Sequence, residues 1–201
     1  MLIHPAKGPV LKLTRTMCTL LGALVIALGA ATAAEARAAA TPQKWVSVFC
    51  GSIVTWEKAV KARSSTFEQA MRSLNGHHTN LPRVRDQLVG YLNGIVDLSK
   101  TMVSNVHHVG APEIKSGDQL QTAVEAALTM VVTSFQADVG KASHLPVDTA
   151  AHFRTAGVAL GHEIKASSGQ LGGAFSALSK LSTPALDSAA KHDATCKQLN
   201  G

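Results

Sequence analysis

Apolar side chains return every three or four residues along most of this chain, which is the spacing of one face of an α-helix. Thr41-Pro42 reads as an N-cap followed by proline at the first helical position. From there the series runs Phe49, Ile53, Trp56, Val60, Phe67, Ala70 and Leu74, interrupted once by Arg63, and so predicts a helix with a seam toward other helices. The stretch NGHHTNLP breaks it. Pro82 restarts a helix whose face is Val84, Leu88, Tyr91, Ile95, Leu98, Met102, Val106 and Val109, stopped by Gly110-Ala111-Pro112.

Ser116 and Gln119 have capping-box spacing ahead of a third helix with Leu120, Val124, Leu128, Val131, Phe135 and Val139 inward, ending at SHLP near His144. Asp148 is the expected cap of a fourth, with Phe153, Leu160, Ile164, Leu171, Phe175 and Leu178 on its inner face. Gly157, Gly161, Gly169, Gly172 and Gly173 weaken that helix, each by about 1 kcal/mol against alanine, so a bend or a close backbone approach is expected between Ser167 and Gly173. Thr183-Pro184 repeats the cap-plus-proline signature and opens a short fifth helix carrying Cys196. Strand-like alternation of useful length is missing from the sequence. Short connections set successive helices antiparallel, so the pattern predicts an all-α fold: an up-down four-helix bundle with a short C-terminal fifth helix.

The N-terminus changes the picture of charge. Lys7, Lys12 and Arg15 precede the apolar run MCTLLGALVIALGAATAA, and the small-x-small sites Ala34-Glu35-Ala36 and Ala36-Arg37-Ala38 follow it. This is the order of a secretory signal peptide over residues 1–38, with residues 39–201 as the helical domain. The rival is an uncleaved anchor, since the run just reaches spanning length; Gly22, Gly29 and the alanine-rich exit favour cleavage. Removing the leader takes four of the 19 basic residues and one of the 13 acidic ones, which leaves 15 minus 12, or +3. The remaining basic residues are scattered, so neither nucleic acid nor, after cleavage, membrane is an expected partner. Cys18 leaves with the leader. Cys50 and Cys196 then remain, and in an exported chain two such cysteines predict one disulfide rather than a metal site. The up-down topology brings the fifth helix to the end of the bundle that holds Cys50.

Chemistry-bearing residues are sparse. Eight histidines remain after cleavage, His162 among them; of the others, His77, His78, His144 and His152 gather toward one end of the expected bundle, and His107, His108 and His192 toward the other. Imidazoles ligate zinc, copper or haem, yet adjacent histidines diverge by about 100° on a helix, and several sit where a positive charge suits a helix C-terminus. No metal ligand or cofactor is assigned on these grounds. GHEIKA lacks the second histidine of a zinc-protease helix, because Ala166 stands four residues after His162. No glycine-x-serine-x-glycine elbow supports a catalytic serine. The seams offer only Arg63, serines such as Ser167, and Asp138 as polar groups. The aromatic residues fall on inward positions, with Trp56 expected as a structural core residue and Trp45 as the exception near a frayed helix start. Met71, Met102 and Met130 are expected as core filling.

Cys50-x5-Trp56, the turn VGAPEIKSGDQL and the terminal ATCKQL together resemble a group of exported, mostly helical proteins of actinobacteria for which no activity is established. The resemblance spans Val48 to Leu199 and implies the same compartment and fold, with the two cysteines and Trp56 as structural residues. The sparse chemistry-bearing residues set the expected function as non-catalytic: an exported or extracytoplasmic bundle that binds a cell-envelope or extracellular protein or serves as a structural cell-envelope component. Binding of a small apolar ligand, haem or a metal ion is the second expectation, and a secreted enzyme the third. A polar, histidine- or acid-lined internal pocket would favour these two; a filled core would favour the first.

Overall fold

The computed structural model describes residues 39–74, 80–169, 172 and 179–199 of the 201-residue chain. The expected leader, His77 and His78, Gln170, Leu171 and Gly173 of the expected bend, and Phe175 and Leu178 lie outside these residues. Among the described residues the helices with defined bounds are α1 (Pro42–Leu74), α2 (Leu81–Val109), α3 (Gly117–Ser143), α4 (Ala150–Gly169), α5 (Pro184–His192) and α6 (Ala194–Leu199). The only β-pairing among the described residues is one isolated bridge between Ala40 and Pro112. No helix among them is long and apolar enough to cross a membrane.

Three starts follow local capping chemistry. The Thr41 hydroxyl accepts the Lys44 N–H at 3.3 Å, Asn80 accepts the Arg83 N–H at 3.1 Å, and Thr183 accepts the Leu186 N–H at 3.4 Å. Two expected caps are corrected. Ser116 stands at the N-cap of α3 but makes no side-chain cap bond. At α4 the cap is Thr149, whose hydroxyl accepts the His152 N–H at 3.2 Å, while the Asp148 carboxylate instead meets the His152 ring at 2.7 Å. The expected fifth helix is two helices, because Asp193 takes an extended conformation between α5 and α6.

Trp56 Nε1 donates to Ser99 Oγ at 2.9 Å, and Ser64 Oγ meets Tyr91 Oη at 2.8 Å. Eight residues forward on α1 correspond to eight residues back on α2, so the two run antiparallel. The main packed pairs are α1 with α2, α2 with α3 and α3 with α4, while α5 and α6 lie on α1 and on each other. Phe49, Ile53, Leu92, Val106, Leu120, Leu128 and Phe135 belong to one continuous buried core. Burying each such side chain stabilises the fold by about 1.5–3 kcal/mol.

The α2–α3 turn explains the GAPEIKSG stretch. Gly110 has φ 74°, a left-handed conformation that suits glycine and ends α2. Ala40 then pairs with the turn: its N–H donates to Ala111 O at 2.9 Å, and its carbonyl accepts the Glu113 N–H at 2.7 Å. A Cβ at Gly117 would collide with the Pro112 carbonyl oxygen, which α3 must pass closely to begin where it does. Gly117→Ala should cost about 2 kcal/mol, or about 4–8 °C in a thermal melt. Gly51→Ala, where an added Cβ meets nothing within 4 Å, should instead gain about 0.5–1 kcal/mol. Equal responses at the two positions would show that the turn yields without cost.

Candidate functional site

The start of α1 is joined to the C-terminal helices by packing and by a covalent bond. Cys50 and Cys196 are joined by a disulfide, with Cα atoms 5.1 Å apart across a sequence separation of 146. Asp193, buried between α5 and α6, holds the short helix that carries Cys196: its Oδ1 accepts the N–H groups of Thr195 at 2.8 Å and Cys196 at 3.0 Å, and the Thr195 hydroxyl. The Thr195 hydroxyl first, then the two backbone N–H groups and Ser47, hold its carboxyl below the usual aspartate range against the opposing effect of burial. A depressed pKa means that this stability is present above the unfolded-state value near 3.8 and is lost as pH falls through the lower folded-state value. Asp193→Ala should cost about 1 kcal/mol at pH 7, and urea titrations should show the difference shrinking at pH 3 and below. An equal difference at both pH values would mean that the charge is not what stabilises α6.

Trp45 corrects the expectation of a frayed helix start. It is 0% exposed, stacks on Phe49 with ring centroids 5.2 Å apart, and donates from Nε1 to Gln121 Oε1 at 2.7 Å. Gln121 Nε2 donates to Val106 O at 2.8 Å and to Glu125, whose carboxylate lies 3.0 Å from His107 Nδ1. One polar chain thus ties α1, α3 and α2 together at this end. The signal was available in the sequence, since Trp45, Phe49 and Ile53 are spaced by four behind the Thr41 cap, and the Ala40 bridge holds that cap in place. Trp56 is buried as expected, and its Ser99 partner in turn donates to Ile95 O at 2.8 Å.

Three of the described histidines bond to the helix that carries them. Nδ1 of His108, His144 and His192 lies 2.6 to 2.8 Å from the carbonyls of Ser104, Gly140 and Ser188, four residues earlier, in the last turns of α2, α3 and α5. His107 meets Glu125, and His152 meets Asp148. Among the described residues, no group of three or more histidine, cysteine or acidic side chains could hold a metal ion. Asp138 is buried, as the seam predicts. Arg63 is exposed, and its guanidinium lies over Gly94, where any Cβ would collide with it. Met130 corrects the core-filling expectation, being 57% exposed.

Three depressions have volumes of about 440, 430 and 400 Å³. The first lies between α1 and α2, beside Ser47, Gly51, Thr55 and Asn105, and the third beside Ala39 and the α2–α3 turn. The second lies over the disulfide, with Trp45, Val46, Phe49, Cys50, Leu186 and Cys196 beneath it. Each of those six residues is 7% exposed or less, so the core is closed under the depression. Ser179, Ser182 and Asp187 form its outer edge, and the Ser182 hydroxyl donates to Asp187. Compared with protein-family models, curated proteins and solved structures, the chain matches none.

Proposed function

We propose that the chain is an exported, non-catalytic binding or cell-envelope interaction protein that presents the outer faces of a disulfide-closed, up-down four-helix bundle to a protein partner. The observation that carries this reading is the filled core under the disulfide depression, where Trp45, Phe49, Leu186 and Cys196 are each 3% exposed or less. The buried polar groups Ser99, Gln121 and Asp193 are bonded to the backbone and side chains that hold helices together, which is structural work. The bundle topology draws support from helix pairing: α1, α2 and α3 pack in succession, α4 lies on α3, and α5 and α6 lie on α1. Export draws support from the basic start, the apolar run and the alanine-rich exit, and from a disulfide, which persists in oxidising compartments. The resemblance to exported actinobacterial proteins points to the same compartment.

Native mass spectrometry of the protein recovered from the culture medium tests the reading. The expected mass is that of an oxidised chain beginning between Arg37 and Thr41, without a bound small molecule. A stoichiometric ligand retained in the spectrum would replace this reading with ligand binding, and full-length chain confined to the membrane fraction would overturn export.

A further inference from the structure

The outer face of α3 differs from that of its neighbours. α1 and α2 interrupt their exposed faces with charges such as Lys58, Lys61, Asp97 and Lys100. On α3 no exposed residue between Asp118 and Lys141 is charged, a span of about 34 Å at 1.5 Å per residue. Within that span the exposed Thr122, Ala126, Thr129, Thr133, Gln136 and Gly140 follow one another at intervals of four and three. This is the repeat of a helix–helix seam, and it lies apart from the inward series Leu120, Val124, Leu128, Val131 and Phe135. Met130, one of the most exposed large apolar side chains described, stands at its centre.

We infer that this face of α3 is a self-association surface, and that its occupant is the α3 of a second copy, packed antiparallel across a two-fold axis between Thr129 and Met130. Self-complementarity selects this occupant. With the axis there, Gln119 falls opposite Gly140, Thr122 opposite Ala137, Ala126 opposite Thr133, and Met130 opposite Thr129, so larger side chains meet smaller ones along the seam. The same register sets the acidic Asp118 of each copy against the basic Lys141 of the other. Lys141 already meets Glu163 at 2.7 Å, and an ammonium carries three donors, so it can serve both carboxylates. A parallel pair would place like charge against like at both ends. Two-fold pairing through one identical patch is the commonest form of homodimer. A single helix pair of this length is small against the roughly 800 Å² per partner of a stable interface, so the dimer is weak and forms at about 10–100 µM. The inference goes beyond the binding role proposed above and holds whether or not a different protein also binds.

Sedimentation velocity of the purified, disulfide-intact protein from about 1 µM to about 1 mM tests it. The weight-average mass should rise from monomer toward dimer across this range. Met130→Lys should keep the protein monomeric throughout while leaving its thermal melt unchanged, since the side chain is exposed. Thr122→Cys and Ala137→Cys proteins, mixed at dimer-forming concentration and oxidised, should cross-link to each other faster than either cross-links to itself. A monomer at every concentration, a dimer that survives Met130→Lys, or faster self-linking of Thr122→Cys than mixed linking would each overturn the inference.

Discussion

Removing the Cys50–Cys196 bond, by reduction or by Cys50→Ser with Cys196→Ser, lowers the melting temperature of the protein by about 10–15 °C. The bond closes a loop with a sequence separation of 146. In the chain-entropy model, a loop of that length removes about 4–5 kcal/mol of freedom from the unfolded chain. For a domain of this size each kcal/mol moves the midpoint by about 2–4 °C. A second contribution comes from the folded side. The helix that carries Cys196 is only six residues long, too short to persist without its attachments. What remains after reduction is the Asp193 cap, the packing of α5 and α6 on α1, and a 3.3 Å contact between Lys58 Nζ and Gln198 Oε1. The loss should therefore be uneven. Hydrogen exchange of the reduced protein should quicken first in α5 and α6, while α2, buried between α1 and α3, keeps its protection. Uniform acceleration across all helices, or a midpoint shift of less than about 3 °C, would show that the bond adds little to the closure of the fold.

The features that were legible in the sequence are those set by short-range chemistry. Apolar spacing located α1 to α4, threonine beside proline located the starts of α1 and α5, and Pro82 located that of α2. The cysteine pairing followed from a count and a topology. What the sequence concealed depends on distant partners. Ser116 has the residue types of a capping box without its side-chain bond, because the turn before it is already organised by the Ala40 bridge and by Gly117 against Pro112. Asp148 and Thr149 are both good caps, and the choice went to Thr149 once the Asp148 carboxylate met His152. Met130 satisfies a helical apolar pattern as well as Val131 does, and only the packing of α3 decides which of the two turns outward. The polar Gln121 sits inside the α3 seam, where a pattern of apolar residues gives no hint that an indole on α1 requires it.

That indole sets the second large effect. Trp45→Ala should cost about 3–5 kcal/mol, because it empties a fully buried position, removes the ring stacked on Phe49 and strands Gln121 Oε1. The size of the loss alone would not separate packing from hydrogen bonding, so the informative variants are the gentler ones. Trp45→Phe keeps an aromatic ring against Phe49 but leaves a buried acceptor without its donor, and should cost about 2 kcal/mol. Gln121→Leu leaves the indole N–H without an acceptor and should cost a similar amount. If the bond between them is what makes each residue necessary, the double variant should be more stable than the sum of the two losses predicts, by about 1–2 kcal/mol, since neither partner is then left unpaired in the core. Chemical denaturation of the four proteins measures this directly. Additive losses would mean that Trp45 is held by its shape alone, and that the polar chain from α1 through Gln121 to Glu125 and His107 is a consequence of the packing rather than one of its causes.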